Sequence, residues 1–176
     1  MISRLIAFIL FLILFPIFIC VSLVIILDNG TPILYKQKRV GFKRNLFTLF
    51  KFRTMKRDTP EIATHLVKDP KLLYISSGPF LRMSSLDEIP QLINIIKGDM
   101  VFIGPRPALH NQEDLVELRD KAGVHELKPG ITGWAQVNGR DELTILQKVK
   151  FDEYYLNNMS LVLNIKIIFL TILRVL

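Results

Sequence analysis

The residues best suited to do chemistry lie between positions 84 and 107. They are the acidic pair within Ser84-Ser85-Leu86-Asp87-Glu88 and the arginine within Gly104-Pro105-Arg106-Pro107. Adjacent carboxylates offer a nucleophile and hard oxygen ligands for a divalent cation. An arginine set between two prolines presents a planar fork, matched to phosphate oxygens, at a fixed place. The chemistry implied is attack by a carboxylate on the phosphorus of a diphosphate. Negative charge there approaches negative charge, so Mg²⁺ and arginines are needed to offset the repulsion. These residues alone do not say which of Asp87 and Glu88 attacks. The plainer alternative is a pair of helix-start acids and nothing more. Three other acidic pairs serve as controls: Glu113-Asp114, Asp141-Glu142 and Asp152-Glu153. None is followed by a Gly-Pro-Arg-Pro turn, and the first and last lie in charged stretches that read as solvated helix faces.

Several elements must position these groups. Ser85 followed by Glu88 reads as a capping box, with Leu86, Ile89, Ile93 and Ile96 recurring at helical spacing behind it. Lys97-Gly98 supplies the stop. Pro90 would remove a bond in the fifth helical position, so a start at Pro90 is the alternative. Both versions place the carboxylates at a helix N-terminus, where the dipole favours their ionised form. Arg82 reads as a phosphate contact or as a guide for a carboxylate. Leu46–Phe52 is aromatic-rich and predicts a strand that sets Lys51 and Arg53 on one face, as substrate contacts or as a solvated basic edge. Residues 129–140 hold three glycines, then Trp134, read as core, and Arg140, a candidate for a nucleotide phosphate.

A chain of 176 residues predicts one domain, and its formal charge of +7 beside 50% hydrophobic residues points to anionic partners. Nucleic acid is disfavoured, since no RNA-binding signature, zinc spacing or helix-turn-helix pattern occurs. Residues 5–27 carry no charge, and as a helix they would reach about 35 Å, enough for a hydrocarbon core of about 30 Å. That run is too long for a signal peptide and lacks a cleavage pattern. Arg4 before it and Lys36, Lys38 and Arg39 after it are both cytoplasmic signals, which a helix bent at Pro16 satisfies by entering and leaving on one face. Nine Lys or Arg and no acid occur between positions 36 and 57, a block suited to anionic head groups. Residues 58–77 predict a loop with a short helix, and residues 108–127 a polar helix with Leu115, Leu118 and Val116 inward. Residues 161–176 predict an amphipathic interfacial helix. Cys20 is the single cysteine and the three histidines are scattered, which removes disulfides and the familiar zinc patterns.

Taken together, the motifs resemble the bacterial sugar transferases of the monotopic phosphoglycosyl transferase class. The resemblance rests on the apolar N-terminal segment, Lys51-Phe52-Arg53-Thr54-Met55, Ser85-Leu86-Asp87-Glu88, Lys97-Gly98-Asp99-Met100, Gly104-Pro105-Arg106-Pro107 and the stretch from Lys128-Pro129-Gly130 through Thr132-Gly133-Trp134 to Asn138-Gly139-Arg140. It implies an α/β, mostly helical, membrane-associated monotopic protein. Residues 1–30 would form a re-entrant membrane helix bent at Pro16, and residues 31–176 a cytoplasmic catalytic domain ending in an interfacial helix. Phe15 stands where many relatives have Ser before this proline. The implied activity moves a sugar 1-phosphate from a UDP-sugar to polyprenol (undecaprenyl) phosphate, with release of UMP, at the bacterial inner membrane. This would be the first membrane step of glycoconjugate synthesis (O-antigen, capsule or glycoprotein glycan). By the same resemblance Asp87 is the nucleophile and Glu88 its partner, both beside Mg²⁺, while Arg82, Arg106, Arg140, Lys51 and Arg53 hold substrate. Partners are then the UDP-sugar, polyprenol phosphate and membrane lipids, with homodimer formation left open. Two other functions compete. One is a metal-dependent glycosyltransferase releasing UDP, although the sequence has no Asp-x-Asp; the other is a non-enzymatic basic membrane-surface module.

Overall fold

The computed structural model describes residues 1–57, 59, 70–139 and 142–175. Helix dominates: α1 (Ile2–Asn29), α2 (Gly78–Met83), α3 (Gln91–Lys97), α4 (Glu113–Lys121), α5 (Trp134–Val137), α6 (Ile145–Asn157) and α7 (Leu161–Val175). Four short strands, β1 (Leu34–Val40), β2 (Leu46–Phe52), β3 (Val101–Ile103) and β4 (Gly130–Thr132), make two two-stranded sheets, β1 with β2 and β3 with β4. The mostly helical α/β expectation is met in this coarse form. The chain divides into two compact units, each built from two stretches: Met1–Gln37 with Leu49–Ile96, and Lys38–Thr48 with Lys97–Leu176. Both β1 and β2 run through that division.

In the first unit the core is Val21, Ile25, Phe52, Ile75 and Leu81, with Phe18, Ile33, Leu34, Leu86 and Ile89 packed on it. The second half of α1 is therefore part of a folded core, and Phe18 meets Phe52 at a ring-centroid distance of 4.7 Å. The rest of α1 is apolar and largely exposed, as at Leu5, Phe8, Leu12 and Ile13. Pro16 lies inside a helix assigned without a break from Ile2 to Asn29. That helix is the one element among the described residues long and apolar enough to cross a membrane. Asp28, in its last turn, accepts from the Ser77 N–H at 2.7 Å and the Ser77 hydroxyl at 2.8 Å, which ties the end of α1 to the start of α2. Asn94 of α3 is fully buried and its Oδ1 accepts from the Phe50 N–H at 3.0 Å, pinning α3 to β2.

The helix expected to begin at Ser85 does not begin there. A helix through Leu86 would drive the Pro90 ring against the carbonyl of residue 86. Ser85 instead adopts a left-handed conformation, φ 56°, and makes no side-chain cap. Leu86–Glu88 forms one 3-10 turn and α3 starts at Gln91, directly after Pro90. The inward side of α3 is Gln91, Leu92, Asn94 and Ile95, not the Ile93 and Ile96 of the expected pattern. The stop is as expected, with Gly98 at φ 90°. A capping box does occur elsewhere, at Thr144 and Gln147 of α6.

In the second unit β3 and β4 pair in parallel, Val101 with Gly130 and Ile103 with Thr132. The approach is so close that a side chain at Gly130 would strike the Gly104 backbone N–H, so glycine is needed there. One core joins Val40, Ala108, Leu115, Val116 and Val149; another joins Val137, Tyr155 and Ile167. Leu115 and Val116 of α4 point inward as expected, with Leu118 partly buried. Trp134 packs on the second core, stacked at 5.8 Å on Tyr154 with Lys166 over its ring. Helix α7 turns Ile167 inward and leaves Val162, Ile165, Phe169 and Leu173 exposed, an amphipathic helix with an uncovered apolar side.

Candidate active site

The first unit gathers Asp87, Glu88 and Lys51. Strand β2 delivers Lys51 at its penultimate position, and the left-handed Ser85 turns the following 3-10 segment so that Asp87 points inward, only 6% exposed. The Lys51 ammonium donates to Glu88 Oε1 at 2.7 Å and stands 3.8 Å from Asp87 Oδ2. One cation thus faces two adjacent carboxylates in a half-buried place, where the interaction is stronger than in bulk water, and offsets one of their two charges. The expectation that a helix N-terminus holds these carboxylates is corrected, because Ile89 and Pro90 separate them from α3.

Arg82 and Arg53, also of this unit, are engaged with protein groups. Arg82 of α2 donates from Nε to Thr54 Oγ1 at 3.0 Å and from Nη1 to Tyr74 OH at 3.1 Å, with the Tyr74 ring beneath its guanidinium. Arg53, 5% exposed, lies past the end of β2 and away from the shared face expected with Lys51. Its Nη2 donates to the carbonyls of Asn29 at 2.9 Å and Gly30 at 2.6 Å, the last residue of α1 and the one that caps it. A cation there complements the negative end of the helix dipole. Burial lowers the Arg53 pKa, with Arg57 adding to the shift and Asp28 opposing it.

Arg106 belongs to the second unit, in the turn that follows β3. Arg140 and Asp141 fall outside the described residues, as do Asp58 and most of the loop expected after it. The solvated-face reading holds for Glu113 and Asp114, which are exposed, and fails for Asp152, which is 1% exposed. Both Nε and Nη2 of Arg119 donate to Asp152 Oδ2, at 3.0 and 2.6 Å. Burial pushes the Asp152 carboxyl up while Arg119 draws it down. This pair was missed because its halves lie 33 residues apart. A usable signal was present: Leu115 and Arg119 are four apart and so share the buried side of α4. His125 is buried, with Nε2 3.1 Å from the Val116 carbonyl, and His110 is exposed. Among the described residues no three of His, Cys, Asp and Glu converge as a metal cluster. Asp87 and Glu88 nonetheless fit Mg²⁺ in the manner usual for phosphate chemistry, in which one or two carboxylates bind it and substrate oxygens and water complete the shell.

Known proteins resemble the chain over most of its length. The chain is 41% identical over 164 residues to the uncharacterized sugar transferase EpsL of Bacillus subtilis (strain 168), a match covering 89% of this chain and 80% of that protein. It is 38% identical over 168 residues to the UDP-glucose:undecaprenyl-phosphate glucose-1-phosphate transferase of Escherichia coli (strain K12), covering 90% of this chain and 36% of the relative. It is 35% identical over 161 residues to the undecaprenyl-phosphate galactose phosphotransferase of Salmonella typhimurium, covering 81% of this chain and 33% of the relative. The chain thus spans about a third of the length of these last two proteins. The description Bacterial sugar transferase fits residues 1–176. With that match along its length, the chain belongs to the bacterial sugar transferase family, a family of transferase enzymes.

Proposed function

We propose that this chain moves a sugar 1-phosphate from a UDP-sugar to undecaprenyl phosphate or a related polyprenol phosphate, releasing UMP. The observation that carries the reading is the Lys51 ammonium set between Glu88, at 2.7 Å, and Asp87, at 3.8 Å. A lone pair of carboxylates needs a compensating cation. A lysine, as a point charge on a flexible stem, can stay with one carboxylate while the other bonds to phosphorus.

In the first displacement a carboxylate oxygen of Asp87 attacks the sugar-bearing phosphorus of the donor. The bond from that phosphorus to the bridging oxygen breaks, and UMP leaves with the oxygen and its electron pair. The product on the protein is an acyl phosphate carrying the sugar. In the second, an oxygen of the polyprenol phosphate attacks the same phosphorus and the Asp87 carboxylate leaves. No net proton transfer is required. Asp87 and Glu88 are the residues that would hold Mg²⁺, which supplies positive charge against the anionic oxygens of the diphosphate. Lys51 keeps Glu88 in place through both steps. Arg106 and Arg140 bind donor phosphate, and Arg82, fixed by Thr54 and Tyr74, backs the acidic turn.

The acceptor arrives from a lipid phase. The charge-free residues 5–17, ahead of the core-packed Phe18, would reach about 20 Å as a helix, short of the roughly 30 Å hydrocarbon core. That length suits a segment that enters the inner membrane part of the way and turns back toward the cytoplasmic face from Pro16. The exposed apolar side of α7 suits the interface. A service in exopolysaccharide assembly accords with the name of a further relative, the exopolysaccharide production protein ExoY of Rhizobium meliloti (strain 1021), 36% identical over 176 residues. The test is enzyme mixed with donor alone: one equivalent of UMP and a protein mass increased by one phosphosugar support the reading. No nucleotide release until acceptor is added would refute the covalent step, and release of UDP would refute the reaction class.

A further inference from the structure

Four consecutive carbonyls of the arginine-bearing turn are each held by a donor from elsewhere in the second unit. The Pro105 carbonyl accepts from the Gly130 N–H of β4 at 2.9 Å, and the Ala108 carbonyl from the Val40 N–H of β1 at 3.0 Å. Between them the donors are side chains. The Arg106 carbonyl accepts from Arg119 Nη1 at 2.7 Å, and the Pro107 carbonyl from Arg39 Nη1 at 3.0 Å. Both prolines fix φ and carry no N–H, so this stretch cannot be held by a regular ladder of its own. A Pro-Arg-Pro turn would otherwise leave two carbonyls without partners. Burying a charged pair only for stability is a weak device, since apolar residues of the same volume serve as well or better. The pair of Arg119 and Asp152 needs another reason to be a pair, and the third arm of Arg119 supplies one.

We infer that Arg119 and Asp152 are positioning residues for Arg106: Asp152 fixes the guanidinium of Arg119 through Nε and Nη2, and the remaining Nη1 clamps the carbonyl of the very residue that presents its fork to phosphate. Arg39 clamps the next carbonyl and completes the grip. The arrangement lets α4 and α6 set the backbone from which Arg106 reaches, although neither helix carries a substrate-binding group in the proposed site. The inference rests on the reading of Arg106 as a donor-phosphate contact.

The experiment replaces the pair by apolar residues of similar volume, Arg119→Met with Asp152→Leu, in wild-type and Arg106→Ala backgrounds of the full chain. Steady-state turnover against donor and thermal unfolding are measured on all four proteins. In the wild-type background the apolar pair should lower kcat/KM for donor by about 100-fold, the scale of a small misplacement of a binding group, with the unfolding midpoint kept. In the Arg106→Ala background the same replacement should change kcat/KM by less than about twofold, because the residue being positioned is gone. Equal factors in the two backgrounds would overturn the inference, since the pair would then act independently of Arg106. Amide hydrogen exchange at Arg106 and Ala108 separates this outcome from a failure of the functional reading. Faster exchange with an Arg106→Ala variant of normal activity would keep the clamp and remove Arg106 from the site. Unchanged exchange would remove the clamp itself. Should the apolar pair not fold, Arg119→Lys gives the same cycle, keeping a cation for Asp152 without the third arm.

Discussion

Lys51 reaches two carboxylates with one ammonium, at 2.7 and 3.8 Å, and all three side chains keep between 9% and 16% of their surface exposed. Arg119 places two N–H groups on a single oxygen of Asp152, and the two side chains keep 4% and 1%. Both are contacts between a cation and an acid, yet they are built for opposite purposes. The first has a long arm, one short contact and one loose one, so a carboxylate can be released from it without unmaking the whole. The second spends a rigid fork on one acid and one backbone carbonyl, and nothing in it can be released cheaply. Exposure and denticity distinguish a pair that can let go from a pair that holds, where residue type alone does not.

The contrast is broken most directly at the acids. Asp87→Asn should lower turnover by about 10⁴-fold or more, as removal of a nucleophile does, with the unfolding midpoint little changed. An Asp87→Asn enzyme within tenfold of wild type would place the nucleophile elsewhere. Asp152→Ala should do the reverse. It leaves the Arg119 charge buried without its acid, at a cost of about 3–5 kcal/mol in stability. Denaturant titration followed by the fluorescence of Trp134, the one tryptophan, reads that loss, and a change below about 1 kcal/mol would show that the pair is not needed to hold the second unit. Lys51→Met should fall between them, reducing kcat by about 100-fold through loss of one charge-assisted contact. Lys51→Arg would recover part of it, and a Lys51→Met enzyme with full activity would make the lysine a bystander.

The smallest effect concerns pH. Burial lowers the His125 pKa, with its bond to the Val116 carbonyl opposing and with Arg119 and Arg44 lowering while Asp120 raises. Above the ordinary value of 6.5 the ring is neutral in folded and unfolded chains alike and contributes nothing to pH dependence. As pH falls below 6.5 the unfolded chain takes a proton first, so stability declines until the folded ring also protonates. His125→Gln, which keeps a donor for the Val116 carbonyl, should flatten the decline in unfolding midpoint between neutral pH and pH 5. An identical slope in both proteins would assign the decline to other groups.

How much of this was legible in the sequence depended on distance along the chain. The acidic pair, the basic strand and the Gly-Pro-Arg-Pro turn stood out because each is a short run whose chemistry is local. Strand β2 appeared at Leu46–Phe52 as its aromatic-rich run predicted, and Gly98 ended α3 where a glycine should. At Ser85 two local patterns competed, a capping box of four residues and Pro90 five further on, and the chain follows the proline, with α3 starting at Gln91. Asp152 misled for a stronger reason. Its run of charged and aromatic neighbours looks solvated, and the fact that contradicts this is an arginine 33 residues away on another helix. Arg53 was grouped with Lys51 by strand alternation, but the strand ends between them, and the helix end that captures Arg53 lies 23 and 24 residues earlier.

The interleaved units also impose a schedule on synthesis. Lys38–Thr48, the tip between β1 and β2, belongs to a unit whose remainder begins at Lys97. Arg39 must wait 68 residues for the Pro107 carbonyl it will hold. At about 5–20 residues per second a ribosome takes roughly 3–14 s to make them. Throughout that interval the tip has been translated and its partners have not, and Val40, later buried, has no core to join. The acid-bearing unit is fully synthesised at Ile96, before any of the arginine turn has been made.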